Sequence, residues 1–218
     1  MSRYNASEVW DKIGGTGLLP LFNIADVEVC KNVIRSCHAA GLRAFELTNR
    51  DAKALEIFRQ LVPFVEKELP DLSLGAGTIL DGPTAVEYIE AGADYIIAPT
   101  TDLDTAEVCR DRGIPWIPGT MTPTEVHLAY RNGAEVVKIF PANLLGVEYL
   151  KQLKAPLPFV KAIATGGVKL DGPSLVSWKE AGIFAVGLGS QLFSHEAIKN
   201  KDWKGITERI HHLRTFMD

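Results

Sequence analysis

A lysine stands in the middle of an otherwise apolar run, Val136-Val137-Lys138-Ile139-Phe140-Pro141-Ala142. A buried ammonium loses its hydration, so burial favours the neutral amine, the form that attacks a ketone to give a Schiff base. The alternative is a lysine at a rim with its head in water. A second run, Arg43-Ala44-Phe45-Glu46-Leu47-Thr48-Asn49-Arg50, has a period of two. Phe45 and Leu47 then share one face of a strand, and Ala44, Glu46 and Thr48 the other. An interior carboxylate needs a partner. Glu46 beside Lys138 would be the proton carrier that imine chemistry requires, or else half of a structural ion pair. Arg50, just beyond the run, offers a bidentate fork for a substrate carboxylate, or is a solvated loop residue.

Two glycine-rich segments complete the candidates. In Gly75-Ala76-Gly77-Thr78 the paired glycines would let a backbone approach a ligand, with Thr78 adding a hydroxyl, although glycines also mark bulges. Thr165-Gly166-Gly167-Val168 and Gly187-Leu188-Gly189-Ser190 offer backbone amides suited to an oxyanion cradle. The Gly-x-Gly is too short for a dinucleotide fingerprint. The histidines form no His-Glu-x-x-His pattern, and neither a Gly-x-Ser-x-Gly elbow nor a P-loop occurs. Metal hydrolysis, serine hydrolysis and nucleotide-driven chemistry all lose ground.

These residues must be held by alternating strands and helices. Strand patterns fall at 18–22, 44–48, 72–76, 95–98, 115–117, 136–140, 160–164 and 184–188. Helical patterns lie between them, for example at 27–40, 52–68, 83–91, 104–112 and 124–132. Several helices end in Ala-Gly or Asn-Gly, as at Ala40-Gly41, Ala91-Gly92, Asn132-Gly133 and Ala181-Gly182. Strands alternating with helices imply parallel pairing with helices outside. Eight such units in 218 residues leave about 27 residues each, the allowance of a compact (β/α)8 TIM barrel, with a doubly wound open sheet as competitor. The segment from Ser7 to Gly14 reads as an N-terminal helix over the barrel bottom. Trp203, Ile206, Ile210, Leu213 and Phe216 give the tail, 202–217, one apolar helical face. No linker or low-complexity tract divides the chain, so a single domain over 1–218 is expected.

Composition narrows the partners. Hydrophobic residues make up 46% and charged residues 23%, ordinary for a globular protein, so disorder and fibrous repeats are excluded. A net charge of −4 without a basic cluster argues against nucleic acid. No apolar run is long enough to span a bilayer, and the first residues lack a secretory pattern. Cys30, Cys37 and Cys109 form neither a CxxC pair nor a zinc spacing. They read as buried, reduced thiols of a cytoplasmic protein.

Taken in order, Leu18-Leu19-Pro20-Leu21-Phe22, Phe45 to Arg50, Gly75 to Thr78, Trp116-Ile117-Pro118-Gly119-Thr120, Val137 to Ala142 and the two glycine loops match one family. From about Leu18 to Phe193 the sequence resembles the 2-keto-3-deoxy-6-phosphogluconate / 4-hydroxy-2-oxoglutarate aldolases. The resemblance implies a metal-independent, cofactor-free class I aldolase on a (β/α)8 barrel, a homotrimer acting on small keto acids and aldehydes. Lys138 matches the Schiff-base lysine and Glu46 the general acid/base. Arg50 and Thr78 match residues that hold the pyruvate-end carboxylate, and Pro99 and Phe140 match pocket walls. Thr165, Gly166, Gly167, Gly189 and Ser190 match the phosphate-binding loops. The sequence departs from the pattern at Asn143, where many relatives carry an acid, and at Ala164, where a proline is common. Both bear on the aldehyde end, leaving open the 6-phosphogalactonate epimer and 4-hydroxy-2-oxoglutarate as substrates. A non-catalytic sugar-phosphate-binding barrel is the reading from another class. Lys161, early in its strand, is expected at the opposite rim.

Overall fold

Most helix starts are set by side-chain caps that the local sequence supplies. Asp26, Asp81, Asp102, Thr122 and Asp171 each accept a hydrogen bond from a backbone N–H of the first helical turn, relieving donors that have no partner inside the helix. The structure, a computed structural model, describes residues 2–218. Strands β1 (Leu18–Phe22), β2 (Ala44–Thr48), β3 (Ser73–Gly77), β4 (Ile96–Ile97) and β5 (Trp116–Ile117) alternate with helices α2 (Val27–Ala39), α3 (Ala54–Glu68), α4 (Gly82–Glu90) and α5 (Leu103–Arg112). The chain continues through β6 (Gly119–Thr120), α6 (Pro123–Arg131), β7 (Val137–Ile139), α7 (Ala142–Lys154), β8 (Ala162–Ala164), α8 (Gly172–Glu180) and β9 (Ala185–Leu188).

All pairings are parallel, and β1 pairs with both β2 and β9. The strand order, β5-β4-β3-β2-β1-β9-β8-β7-β6, brings β5 and β6 to its two ends. They are halves of one barrel strand joined through Pro118, so the sheet is a nearly closed (β/α)8 barrel and the open-sheet alternative is excluded. Proline has no N–H to donate, which interrupts the ladder at that point. The Pro118 carbonyl still accepts from Lys138 N–H at 2.8 Å, and β6 continues alongside β7. The expected strand at 115–117 is therefore only the first half of the fifth barrel strand. The strands expected at 95–98, 136–140 and 160–164 are shorter at their ends, and that at 72–76 lies one residue later.

Interior and exterior faces alternate as the period of two requires. Phe45, Leu47, Leu74, Ala76 and Ile96 join the outer core beneath the helices. Leu19, Ala44, Tyr95, Ile97, Ile117, Val136 and Ile163 form a separate interior core. Helix α1 (Ala6–Gly14), capped by a reciprocal Asn5–Glu8 box, closes the N-terminal end by packing Val9, Trp10 and Ile13 onto that interior. Arg3 ties the segment before α1 to the barrel through an ion pair of 2.6 Å with the fully buried Asp94. Two further helices end the chain, α9 (His195–Lys199) and α10 (Trp203–Arg214). Ile206, Ile210 and Leu213 of α10 are buried, on the apolar face expected for the tail.

Candidate active site

The pleat that turns Ala44 and Val136 into the lower apolar layer turns Glu46 and Lys138 into the next layer up, toward the C-terminal ends of the strands. Lys138 is 3% exposed and Glu46 1%. The rim-lysine reading fails on that number. Burial lowers the Lys138 pKa; the Glu46 charge opposes this and Arg50 adds to it. Burial raises the Glu46 pKa, with Lys138 and Arg50 opposing. Each group is thus pushed toward its uncharged form, a neutral amine and a protonated carboxylic acid. The Lys138 Nζ lies 5.1 Å from the centroid of the Phe140 ring. Glu46 Oε1 is buried without a hydrogen-bond partner.

The paired glycines of β3 do something other than admit a ligand backbone. A Cβ at Gly77 would lie 2.6 Å from Glu46 Cγ and would overlap the Glu46 carboxyl group. A Cβ at Gly75 would overlap the ring of Tyr95. The strand gives up two interior side chains so that neighbouring strands can place a carboxyl and a phenol there. Thr78, which follows, is half-buried with a φ of 62°, a left-handed conformation uncommon for a residue with a Cβ.

Above this layer the strand ends enclose a cavity of about 200 Å³. Arg50, Phe140, Thr165, Gly166, Gly167, Gly189 and Ser190 line it, bringing together seven of the expected site residues. A neighbouring hollow of about 250 Å³ shares Leu21, Arg50 and Ser190 with it, so the two are continuous. Gly166 and Gly167 have φ of 94° and 71°, which lets the loop turn over the cavity close to Phe140 and Asn143. Lys138, Glu46, Thr78 and Pro99 do not line the cavity. Thr78 lies beside the Glu46 slot, and a Cβ at Gly119, paired in register with Lys138, would sit 2.8 Å from Pro99 Cα.

A larger, shallow hollow of about 460 Å³ lies at the N-terminal end, among Lys12, Gly41, Arg43 and Arg214. Its cations are already engaged: Lys12 Nζ donates to the Asp71 carbonyl, Arg43 pairs with Asp71, and Arg214 donates to the Ala40 carbonyl. Lys161 is exposed just before β8, with its Nζ 6.0 Å from the Phe184 ring centroid, at the rim opposite Lys138 as its strand position predicts. Two site features went unread in the sequence. Gln191 lines the cavity next to Ser190, and only its adjacency could have marked it. Tyr95 carries a buried phenol whose hydroxyl has no partner, and as the first residue of an apolar strand run nothing local sets it apart.

With this geometry in hand, comparison with known proteins is decisive. The family model for KDPG and KHG aldolases matches residues 10–209. The chain belongs to that family. It is 37% identical to the 2-dehydro-3-deoxy-phosphogluconate aldolase of Pseudomonas aeruginosa over 134 residues, which span 61% of this chain and 59% of that protein. It is 30% identical to the enzyme of the same description from Pseudoalteromonas atlantica over 196 residues, 88% of this chain and 86% of that protein. Among solved structures, the KDPG aldolase of Legionella pneumophila with pyruvate captured as a covalent carbinolamine superposes with a TM-score of 0.84 at 26% identity, covering 94% of this chain and 97% of that one. The chain is therefore a carbon–carbon lyase with an aldolase barrel, and the non-catalytic alternative is set aside.

Proposed function

We propose that this aldolase cleaves 2-keto-3-deoxy-6-phosphogluconate to pyruvate and glyceraldehyde 3-phosphate through a Schiff base on Lys138. The observation that carries the reading is a deeply buried amine and a deeply buried carboxyl whose charges act on each other, in a barrel whose strand ends enclose a cavity lined by an arginine and glycine-rich loops. Neutral Lys138 attacks the C2 ketone and gives a carbinolamine. Protonated Glu46 donates its proton to the departing hydroxyl, which leaves as water and produces the iminium and a Glu46 carboxylate. That carboxylate takes the C4 hydroxyl proton. The C3–C4 bond breaks, its electrons flow into the iminium to form an enamine, and the aldehyde departs. Glu46 returns the proton to C3, and hydrolysis frees pyruvate and the amine. The raised pKa of Glu46 makes it an acid at the first step, and the iminium then stabilises its ionised form at the second.

Arg50 and Thr78 hold the keto-acid carboxylate, Pro99 and Phe140 wall the reacting carbons, and Thr165, Gly166, Gly167, Gly189 and Ser190 receive the phosphate. One feature favours a second reading in the same chemistry. Arg50 is the one cationic side chain among the described residues lining the cavity, so 4-hydroxy-2-oxoglutarate, with a carboxylate in place of a phosphate, is the alternative substrate. The ratio of kcat/KM for the two acids decides between them. The functional unit is a homotrimer of a cytoplasmic enzyme, tested by light scattering in solution. Among the described residues no helix is long and apolar enough to cross a membrane.

The deciding experiment is borohydride reduction in the presence of pyruvate, followed by peptide mass mapping. A stable pyruvate adduct on Lys138 is expected. Folded protein without an adduct refutes the Schiff base, and an adduct on Lys161 instead refutes the assignment of the lysine.

A further inference from the structure

Tyr95 lies just before β4, is fully buried, and points into the barrel interior among apolar side chains. Phenylalanine would fill that space without bringing a hydroxyl that must lose its hydration. The hydroxyl has no hydrogen-bond partner. Glu46 Oε1 is in the same condition. The two groups occupy successive places on one face of β3, Tyr95 over Gly75 and Glu46 over Gly77. Residues two apart on a strand share a face, so the phenol and the carboxyl belong to adjoining layers of the interior. One is a donor without an acceptor, the other an acceptor without a donor.

We propose that Tyr95 is a positioning residue for Glu46, its hydroxyl donating directly or through one water to the Glu46 carboxylate whenever that group is ionised. This inference rests on the assignment of Glu46 as the proton carrier. The resting enzyme holds Glu46 toward its protonated form, when the contact is not needed. The demand arises after Glu46 has given its proton to the departing hydroxyl, when a carboxylate stands in a dry interior. A donor already fixed in the next layer stabilises that charge without reorganisation. Burial, then the Glu46 and Asp94 charges, raise the phenol pKa, so the hydroxyl keeps its proton. The charged and titratable groups around the pair are Lys138 and Arg50 toward Glu46, and Asp94, itself paired with Arg3, toward Tyr95.

The test compares the unmodified enzyme with Tyr95→Phe and with a protein carrying 3-fluorotyrosine at position 95, using pyruvate trapping and the pH profile of kcat. Loss of the donor disfavours the carboxylate, so Tyr95→Phe should move the acid limb of kcat upward by at least about half a pH unit. KM and the extent of trapping at Lys138 should stay unchanged. The more acidic fluorophenol is a stronger donor and should move the same limb downward, a reversal that packing alone would not produce. If both replacements trap pyruvate while the limb stays in place, Tyr95 is a packing residue and the proposal is overturned. If the unmodified protein fails to trap pyruvate, the Schiff-base reading falls and takes this inference with it, an outcome distinct from an unmoved limb. The fluorinated protein keeps the test open should Tyr95→Phe fold poorly.

Discussion

Replacing Gly77 by alanine is a perturbation whose size can be read from the barrel wall. The new methyl group would lie 2.6 Å from Glu46 Cγ, and it would occupy the space now held by the carboxyl carbon and Oε1. Ordinary carbon–carbon contact begins at about 3.5 Å, so Glu46 must withdraw by about 1 Å at Cγ and further at its carboxyl end. Misplacing a reacting group by about 1 Å costs on the order of a hundredfold in rate. Gly77→Ala should therefore lower kcat for aldol cleavage by about 10²-fold or more. Lys138 sits on a different strand, so reduction with borohydride and pyruvate over a long incubation should still label it. The informative assay is exchange of the pyruvate methyl protons for deuterium, which requires the enamine and the Glu46 proton but no aldehyde. It should slow by about the same factor as cleavage. Overpacking a core costs about 1–3 kcal/mol, so a fall in Tm with a cooperative transition is expected and separates misfolding from misplacement. Cleavage and exchange both within about threefold of the unmodified enzyme, in a protein shown to carry the extra methyl, would refute the reasoning. The proton carrier would then not be the carboxyl packed over Gly77.

Three further outcomes follow from the same geometry. Burial raises the Glu46 pKa above its ordinary 4.5, so between that pH and the raised value the folded protein holds more protons than the unfolded chain, and this contribution to stability is lost as pH rises. Lys138, lowered from 10.5, acts in the opposite sense between its lowered value and 10.5; Glu46→Gln removes the falling contribution and the charge that opposes the Lys138 shift, so urea titrations should show stability rising with pH over that window. Asp94→Ala leaves the Arg3 guanidinium and the Leu74 N–H without their buried acceptor, and should cost about 3–5 kcal/mol in chemical denaturation while leaving pyruvate trapping intact. Lys161→Met removes a lysine at the far rim, and should change neither the yield of the reduced pyruvate adduct nor kcat.

What could be read from the sequence depended on how locally each feature is encoded. The β2 strand was legible with its boundaries and its faces because Ala44 to Thr48 carry a strict alternation, and the outer core now holds Phe45 and Leu47. Lys138 stood out as a charge in an apolar run, and its side chain is buried. The Ala-Gly stops were legible because helix termination is a one-turn event. The role of Gly75 and Gly77 was not, since it depends on side chains sent from Tyr95 and Glu46 on neighbouring strands. Pro118 marked a break in the ladder only once the partners on both sides were known, because β5 pairs with β4 while β6 pairs with β7. The left-handed backbone at Thr78 was equally hidden, as threonine gives no local signal for a positive φ.

The proposed mechanism runs acid and base steps from a single carboxyl, and the architecture of the barrel suits that. The lower half of the interior is largely apolar and is covered by α1. The upper half opens into the cavity beside Arg50. Between them, β3 presents glycine where side chains from β2 and from the residue before β4 need room. Burial pushes a carboxyl held there toward its protonated form. In the proposed mechanism the amine coupled to it becomes a fixed cation once the iminium forms, so the charge that favours ionisation of Glu46 is created by the step that consumes its proton. On that mechanism, packing that fixes the carboxyl over Gly77 supports the rate, although glycine touches no substrate.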